Sequence, residues 1–280
     1  MKISVLKLAI AALMLIITSS YLQFFGRQSG LEQIIEQTLL REIEKKISTP
    51  PPLLAKYDSP KAFLTLEGVV QITNIQREKE GLRPLVNNAL LNSSALQKAQ
   101  DMFAKQYFAH DSPDGIGVGD LAGSVGYAYI AIGENLALGN FANDEALVAG
   151  WMASPGHRAN ILDVRYQEIG VAVLQGTYQG KQTWIAVQHF GFPLSACPKP
   201  DSSLEQRIKD NQVRLEQMQR DLEAKKREIE NTEPKHGPEY EQKVDEYNSM
   251  VVQYNALAEE TRNLIETYNA QVQSFNQCAS

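Results

Sequence analysis

Three residues of this sequence combine reactive side chains with non-repetitive surroundings. His110 lies in YFAHDSPDG, Glu134 in GENLALG between two glycines, and His157 in SPGHRANIL. Imidazole and carboxylate groups transfer protons and ligate metals. The gaps between them, 24 and 23 residues, make no compact metal motif such as HExxH. The fold would have to bring them together. Taken singly, each has an ordinary structural explanation: a loop hydrogen bond for either histidine, solvation for the glutamate. His189, in the last strand-like stretch, is expected to pack rather than to face a cleft.

Local context adds most at His157. Ser154 can cap a helix, and Pro155 suits its first position. His157 then falls in the first turn. The positive end of the helix disfavours imidazolium and favours neutral imidazole, the ligand and acceptor form. Ser112 and Ser154 have no activating base evident in the sequence, which argues against a serine nucleophile. Trp151 reads as core, and Arg158 and Asn160 as side chains that bind nearby backbone.

The elements that must position these residues follow from periodicity. Leu66, Val69, Ile72 and Ile75 predict a helix that ends before Gly81 and Pro84. A second helix is predicted from about Ser93 to Phe108. A third follows Asn143, a suitable N-cap, with Leu147, Val148, Trp151 and Met152 on its apolar side. IGVAVLQ (169–175) and QTWIAVQHF (182–190) predict two strands joined through GTYQG as a hairpin. Helices followed by antiparallel strands indicate an α+β or layered α/β domain over about residues 62–195.

The flanks differ from this domain. Residues 1–27 hold Lys2 and Lys7 before an apolar run that reaches Phe25, long enough for a membrane anchor and also readable as an export signal. The anchor is the preferred reading, since Thr18, Ser19 and Ser20 make a weak cleavage site. Either reading places the remainder outside the cytoplasm, at the cell surface, in a periplasm or secreted. Residues 28–61 are expected to form an amphipathic helix over 31–48, with Ile34, Ile35, Leu39, Ile43 and Ile47 on one side, and then a Pro-rich linker.

From residue 198 to 280 apolar residues recur at alternating spacings of three and four. Leu204, Ile208, Leu215, Leu222 and Ile229 carry one run; Val244, Val251, Ile265, Val272 and Phe275 carry another. This predicts a coiled coil folded as an antiparallel hairpin at Pro234–Gly237. The tyrosines in the second run are read as helix packing rather than a ligand platform. The hairpin brings Cys197 and Cys278 to one end, and an exported chain can oxidise them to a disulfide. The net charge of −6, with no dense Lys/Arg run, excludes nucleic acid as an expected partner.

Six segments in order, TNIQREKEGLRPL, YFAHDSPDG, GENLALG, WMASPGHRANIL, YQEIGVAVL and WIAVQHFG, resemble the CAP superfamily. That family comprises the cysteine-rich secretory, antigen 5 and pathogenesis-related proteins, whose domain is also called SCP. The resemblance is to its bacterial branch and spans about residues 63–192. It implies an α/β fold, an α-β-α sandwich with a central cleft holding two histidines and acidic residues. Carried over by motif, these are His110, His157 and Glu134. Larger relatives have a second glutamate three residues after the helix tryptophan, where this chain has Ser154.

The resemblance implies that His110, His157 and Glu134 could hold a divalent metal such as zinc, calcium or magnesium. Three functions follow as expectations. The first is a non-enzymatic extracytoplasmic module binding a metal, a lipid or a cell-envelope ligand. The second is a metal-assisted hydrolase with Glu134 as base or ligand. The third is a structural or adhesion protein acting on a protein partner through its C-terminal helices.

Overall fold

The computed structural model describes residues 45–56 and 58–280, which divide into two compact units meeting in the chain at Cys197–Pro198. The anchor or signal expected at 1–27, and most of the helix expected at 31–48, lie outside the described residues. Among the described residues no helix is long and apolar enough to cross a membrane.

The first unit is built on one mixed sheet. Its strands are β1 (Lys46–Ser48), β2 (Leu53–Leu54), β3 (Val86–Asn87), β4 (Tyr129–Leu138), β5 (Glu168–Tyr178) and β6 (Lys181–Pro193). The spatial order is β1-β4-β6-β5-β3, with β2 also on β4. β6 runs antiparallel to both β4 and β5, whereas the short strands pair in parallel. The predicted β5–β6 hairpin forms. Gln179 and Gly180, both at positive φ, make its two-residue turn.

Helices cover both faces, as the resemblance implies. α1 (Leu66–Lys79), α4 (Asp144–Met152) and α5 (Pro155–Ile161) pack on one face through Val69, Leu147, Trp151 and Ile161. α2 (Ala89–Lys105) packs on the other through Ala95, Ala99 and Met102, with α3 (Val118–Ser124) beside it. The caps explain the boundaries. Asn143 accepts from Ala146 N at the start of α4, as expected. α2 starts four residues earlier than predicted because Asn88 accepts from Leu90 N and Leu91 N. It stops at Lys105, where Gln106 turns left-handed at φ 54°. Arg77, buried in α1, donates to the carbonyls of Arg83, Ile161, Asp163 and Tyr166 and so ties α1 to the end of α5.

Two expectations need correction. Residues 46–48 are a strand, not the last turn of a helix: Lys46, Ile47 and Ser48 pair with Ala131, Ile132 and Gly133. The prolines at 50–52 cannot continue a helix, and the edge of β4 offers unpaired backbone groups. Nor is the Pro-rich stretch a free spacer. Leu53 and Leu54 pair with Ala137 and Leu138, and Ala55 N donates to Leu138 O at 2.9 Å. The sequence periodicity does not reveal β4. It is buried on both faces and carries Gly133, Glu134 and Asn135, so it shows no polar–apolar alternation.

The second unit contains two long helices, α6 (Ser202–Asn231) and α7 (Pro238–Ala279). They pair antiparallel, with Leu204 and Ile208 of α6 packed with Ile265 of α7. Lys225 reaches Glu246 at 2.5 Å and Arg207 reaches Glu260 at 3.2 Å. Each apolar residue of the predicted seam is buried or half-buried. Thr261, its polar member, is buried but satisfied by its own helix, donating to Leu257 O at 2.7 Å. Cys197 and Cys278 are both disulfide-bonded and, as the chain's only cysteines, bond to each other.

Candidate functional site: a closed polar cleft

Glu134 sits mid-strand in β4 with its side chain on the α2 face, opposite His189 of β6. It is 0% exposed, and both carboxylate oxygens are engaged. His110 Nδ1 donates to Oε1 at 2.6 Å, and His189 Nε2 to Oε2 at 2.9 Å. His189 Nδ1 pairs with Ser94 Oγ of α2 at 2.7 Å. His189 thus belongs to the cleft network as well as being buried, where packing alone was expected.

His110 lies in the loop after α2 and is held from both sides. Its Nε2 faces the carbonyl of Pro50 at 2.5 Å. A carbonyl and an ionised carboxylate only accept, so both ring nitrogens of His110 must carry hydrogens. Lys98 of α2, also buried, donates to the His110 carbonyl and to Tyr107 Oη.

The charges explain one another. Burial alone would raise the Glu134 carboxyl, but the hydrogen bonds from His110 and His189 outweigh it. With the attraction of the nearby His189 ring and Lys98 ammonium, they hold it below the usual carboxylate range. Burial lowers the Lys98 ammonium, and the nearby carboxylates of Glu134, Asp101 and Asp111 resist that shift.

His157 stands apart from this group. It is 1% exposed at the start of α5, and its Nδ1 pairs with Ser154 Oγ at 2.8 Å. Ser154 is the capping residue by backbone geometry, but its hydroxyl makes no cap bond and turns to the ring instead. Burial, then the charge of His110, pushes the His157 ring down to about 4, so it is neutral at pH 7. Its Nε2 is buried with no hydrogen-bond partner.

Ser154 therefore does have a neighbouring base, which the sequence did not reveal. That base is a poor one. A ring titrating near 4 has little driving force to take a proton at neutral pH, and no acid orients its second nitrogen. Ser112 does something else: its hydroxyl accepts from Asp114 N and Ile116 N and shapes the loop after His110.

As arranged, these residues do not fit a metal ion. Both oxygens of Glu134 and both nitrogens of His110 already have partners, leaving His157 Nε2 as the one free donor of the three. Among the described residues no group of three or more His, Cys, Asp or Glu is placed to hold one.

A second buried polar chain lies on the other face of β4. Asn135 Nδ2 donates to the His157 carbonyl and to Gln188 Oε1, both at 3.2 Å, and Gln188 Nε2 donates to Thr73 Oγ1 at 2.7 Å. Asn160 Nδ2 lies within reach of Asn135 Oδ1, Glu134 O and Ser48 O. Asn160 thus binds backbone as expected, whereas Arg158 pairs with Glu80 at 3.0 Å. Trp151 fills core and also donates to Leu136 O at 3.3 Å. Sequence reasoning missed Ser94, Lys98, Asn135 and Gln188. The only signal for the last two was a polar residue adjoining Glu134 and His189 in stretches otherwise apolar.

Next to Ser154 a groove of about 540 Å³ opens between the β2 segment and α4, lined mainly by Leu53, Leu54, Phe141, Ala146 and Gly150.

Residues 70–190 match the model of the cysteine-rich secretory protein family, CAP. This segment is a CAP domain. Two Bacillus subtilis (strain 168) proteins share it. The uncharacterized protein YkwD is 43% identical over 107 residues, 38% of this chain and 41% of that protein. The uncharacterized membrane protein YlbC is 31% identical over 105 residues, 38% of this chain and 30% of that protein. The chain therefore spans less than half the length of the curated relatives it matches.

Among solved structures, an extracellular SCP-domain protein from Bacillus anthracis is 28% identical with a TM-score of 0.39. The match covers 45% of this chain and 39% of that one. An outer surface protein from Borrelia burgdorferi is 20% identical with a TM-score of 0.41, covering 45% and 91%. The matched range contains His110, Glu134, His157 and His189, whereas Pro50 of the segment 46–55 lies outside it.

Proposed function

We propose that this chain is an exported, non-enzymatic binding module whose CAP domain takes a cell-envelope or extracellular ligand beside His157. The observation that carries this reading is the complete internal use of Glu134. A general base must reach its substrate or a water, and this carboxylate has no surface exposure and no free oxygen. The hydrolase reading would need that group available.

Export is supported by the disulfide, which persists in oxidising compartments, and by the basic residues and apolar run at the N-terminus. A membrane anchor at that end would agree with the relative described as a membrane protein. In this reading the heptad-patterned helical hairpin acts as a spacer or as the surface for a protein partner.

The test has two arms on the full chain. Ester and peptide substrates are offered to the wild type and to Glu134→Gln, and both are assayed for retention on isolated cell envelopes beside Ala146→Trp, which fills the groove from an exposed helix position. The reading predicts no turnover that depends on Glu134 and at least a tenfold loss of retention in Ala146→Trp. Turnover present in the wild type and lost in a folded Glu134→Gln would overturn it.

A further inference from the structure

The segment 46–55 crosses the cleft like a strap, and its contacts describe a ligand. At its start β1 pairs with β4 up to Gly133, and Asn160 Nδ2 contacts Ser48 O at 3.3 Å. At its end β2 pairs with Ala137 and Leu138. In between, the three prolines pass Glu134 to Leu136 without ladder bonds, and the Pro50 carbonyl accepts from His110 Nε2.

The seat beneath the strap is shaped for this chain by missing side chains. A Cβ on Gly156 would lie 2.6 Å from Pro50 Cβ, and one on Gly150 3.1 Å from Leu53 Cδ2. One on Gly139 would lie 2.4 Å from Ala55 Cβ, and Gly139 also has φ of +133°. Three glycines, in AGWM, SPGHR and LGN, thus seat three strap residues. Yet the strap is lightly held. Its ladders span three and two residues, and Ile47 and Leu54 remain 55% and 61% exposed.

We infer that the seat under the strap, formed by the edge of β4 with Gly139, Gly150 and Gly156, is a binding site for an extended, proline-containing peptide, and that residues 46–55 occupy it in cis as a self-ligand. A peptide bound in trans adds to the edge of β4 as the strap does, and places the carbonyl of a proline against His110. A tethered strap competes at an effective concentration of about millimolar, so a free peptide binds the intact chain weakly. Release of the strap opens the site. This rests on the cleft being a binding site, but it names a ligand class that the envelope-retention assay does not.

The probe is a fluorescent peptide with the sequence of residues 45–56, KKISTPPPLLAK, and a scrambled control. Its affinity is measured by anisotropy for the full wild-type chain and for Pro50→Gly/Leu53→Gly, which removes two seated side chains. The expected result is at least tenfold tighter binding to the variant. Adding Gly156→Leu, which fills the proline seat, should abolish it.

A second measurement needs no substitution. Millimolar peptide added to the wild type should speed amide exchange at Ala55, whose N–H the strap bonds to Leu138 O. Equal affinity for wild type and variant, binding unaffected by Gly156→Leu, or unchanged exchange at Ala55 would each overturn the inference. Loss of the peptide result with envelope retention intact would refute the self-ligand alone. Loss of retention with Glu134-dependent turnover would refute the underlying reading.

Discussion

His157 is the residue whose state the fold changes most visibly. Folded, its ring stays neutral down to about 4; unfolded, it takes a proton near 6.5. Between those values the unfolded chain binds more protons, so stability is complete above pH 6.5 and falls as pH drops toward 4. From pH 7 to pH 5 this one group should cost about 2 kcal/mol. Denaturant melts at the two pH values, for wild type and His157→Gln, measure it as the difference; an equal loss in both would remove His157 as the cause. Glu134 makes the opposite case, a buried charge that is fully partnered. Glu134→Ala leaves His110, His189 and Lys98 around a vacant acceptor and should destabilise by about 3–5 kcal/mol. A midpoint shift well under that would mean the network is not as closed as its distances indicate.

At the scale of elements, legibility tracked how each element is buried. α1 and α4 pack one face on the sheet and keep another toward solvent, so their period of three to four residues was visible, as was the turn-marked β5–β6 hairpin. β4 was not legible, because a strand enclosed on both sides loses its alternation and this one also carries the site's polar residues. The strap was misread for a related reason. Ile43 and Ile47 continue a helical spacing, but Pro50–Pro52 and the open edge of β4 decide the conformation of residues 46–48. In the site, His110, Glu134 and His157 were reachable through the family motifs. Ser94 and Lys98 lie on a helix face that reads as ordinary, and only the fold brings them under Glu134. Two predictions belong here. Gly170→Ala would place a Cβ 2.1 Å from the Leu91 carbonyl carbon, so β5 and α2 must separate, at about 1–3 kcal/mol or more in thermal melts. Arg77→Leu strands four carbonyls and should destabilise by about 3 kcal/mol while loosening the end of α5.

Across the whole molecule, one covalent bond closes a long stretch of chain. The Cys197–Cys278 disulfide encloses both long helices, α6 and α7. In the chain-entropy view, closing a loop of this size stabilises the folded hairpin by about 4–5 kcal/mol. Calorimetry with and without reductant should show the hairpin transition move to lower temperature on reduction, with the CAP domain followed separately through its tryptophans, Trp151 and Trp184. A hairpin transition indifferent to reductant would show that the apolar packing between α6 and α7 alone sustains it. The same bond ties stability to an oxidising compartment, in keeping with an exported chain.

The cleft's polar groups are committed to one another and to the strap, with only His157 Nε2 left over. Long-range proton–nitrogen spectra of the four histidine side chains at pH 7 test this most directly. The expected result is hydrogens on both ring nitrogens of His110, and a neutral His157 ring. A His110 ring with a single hydrogen, or a protonated His157, would contradict it.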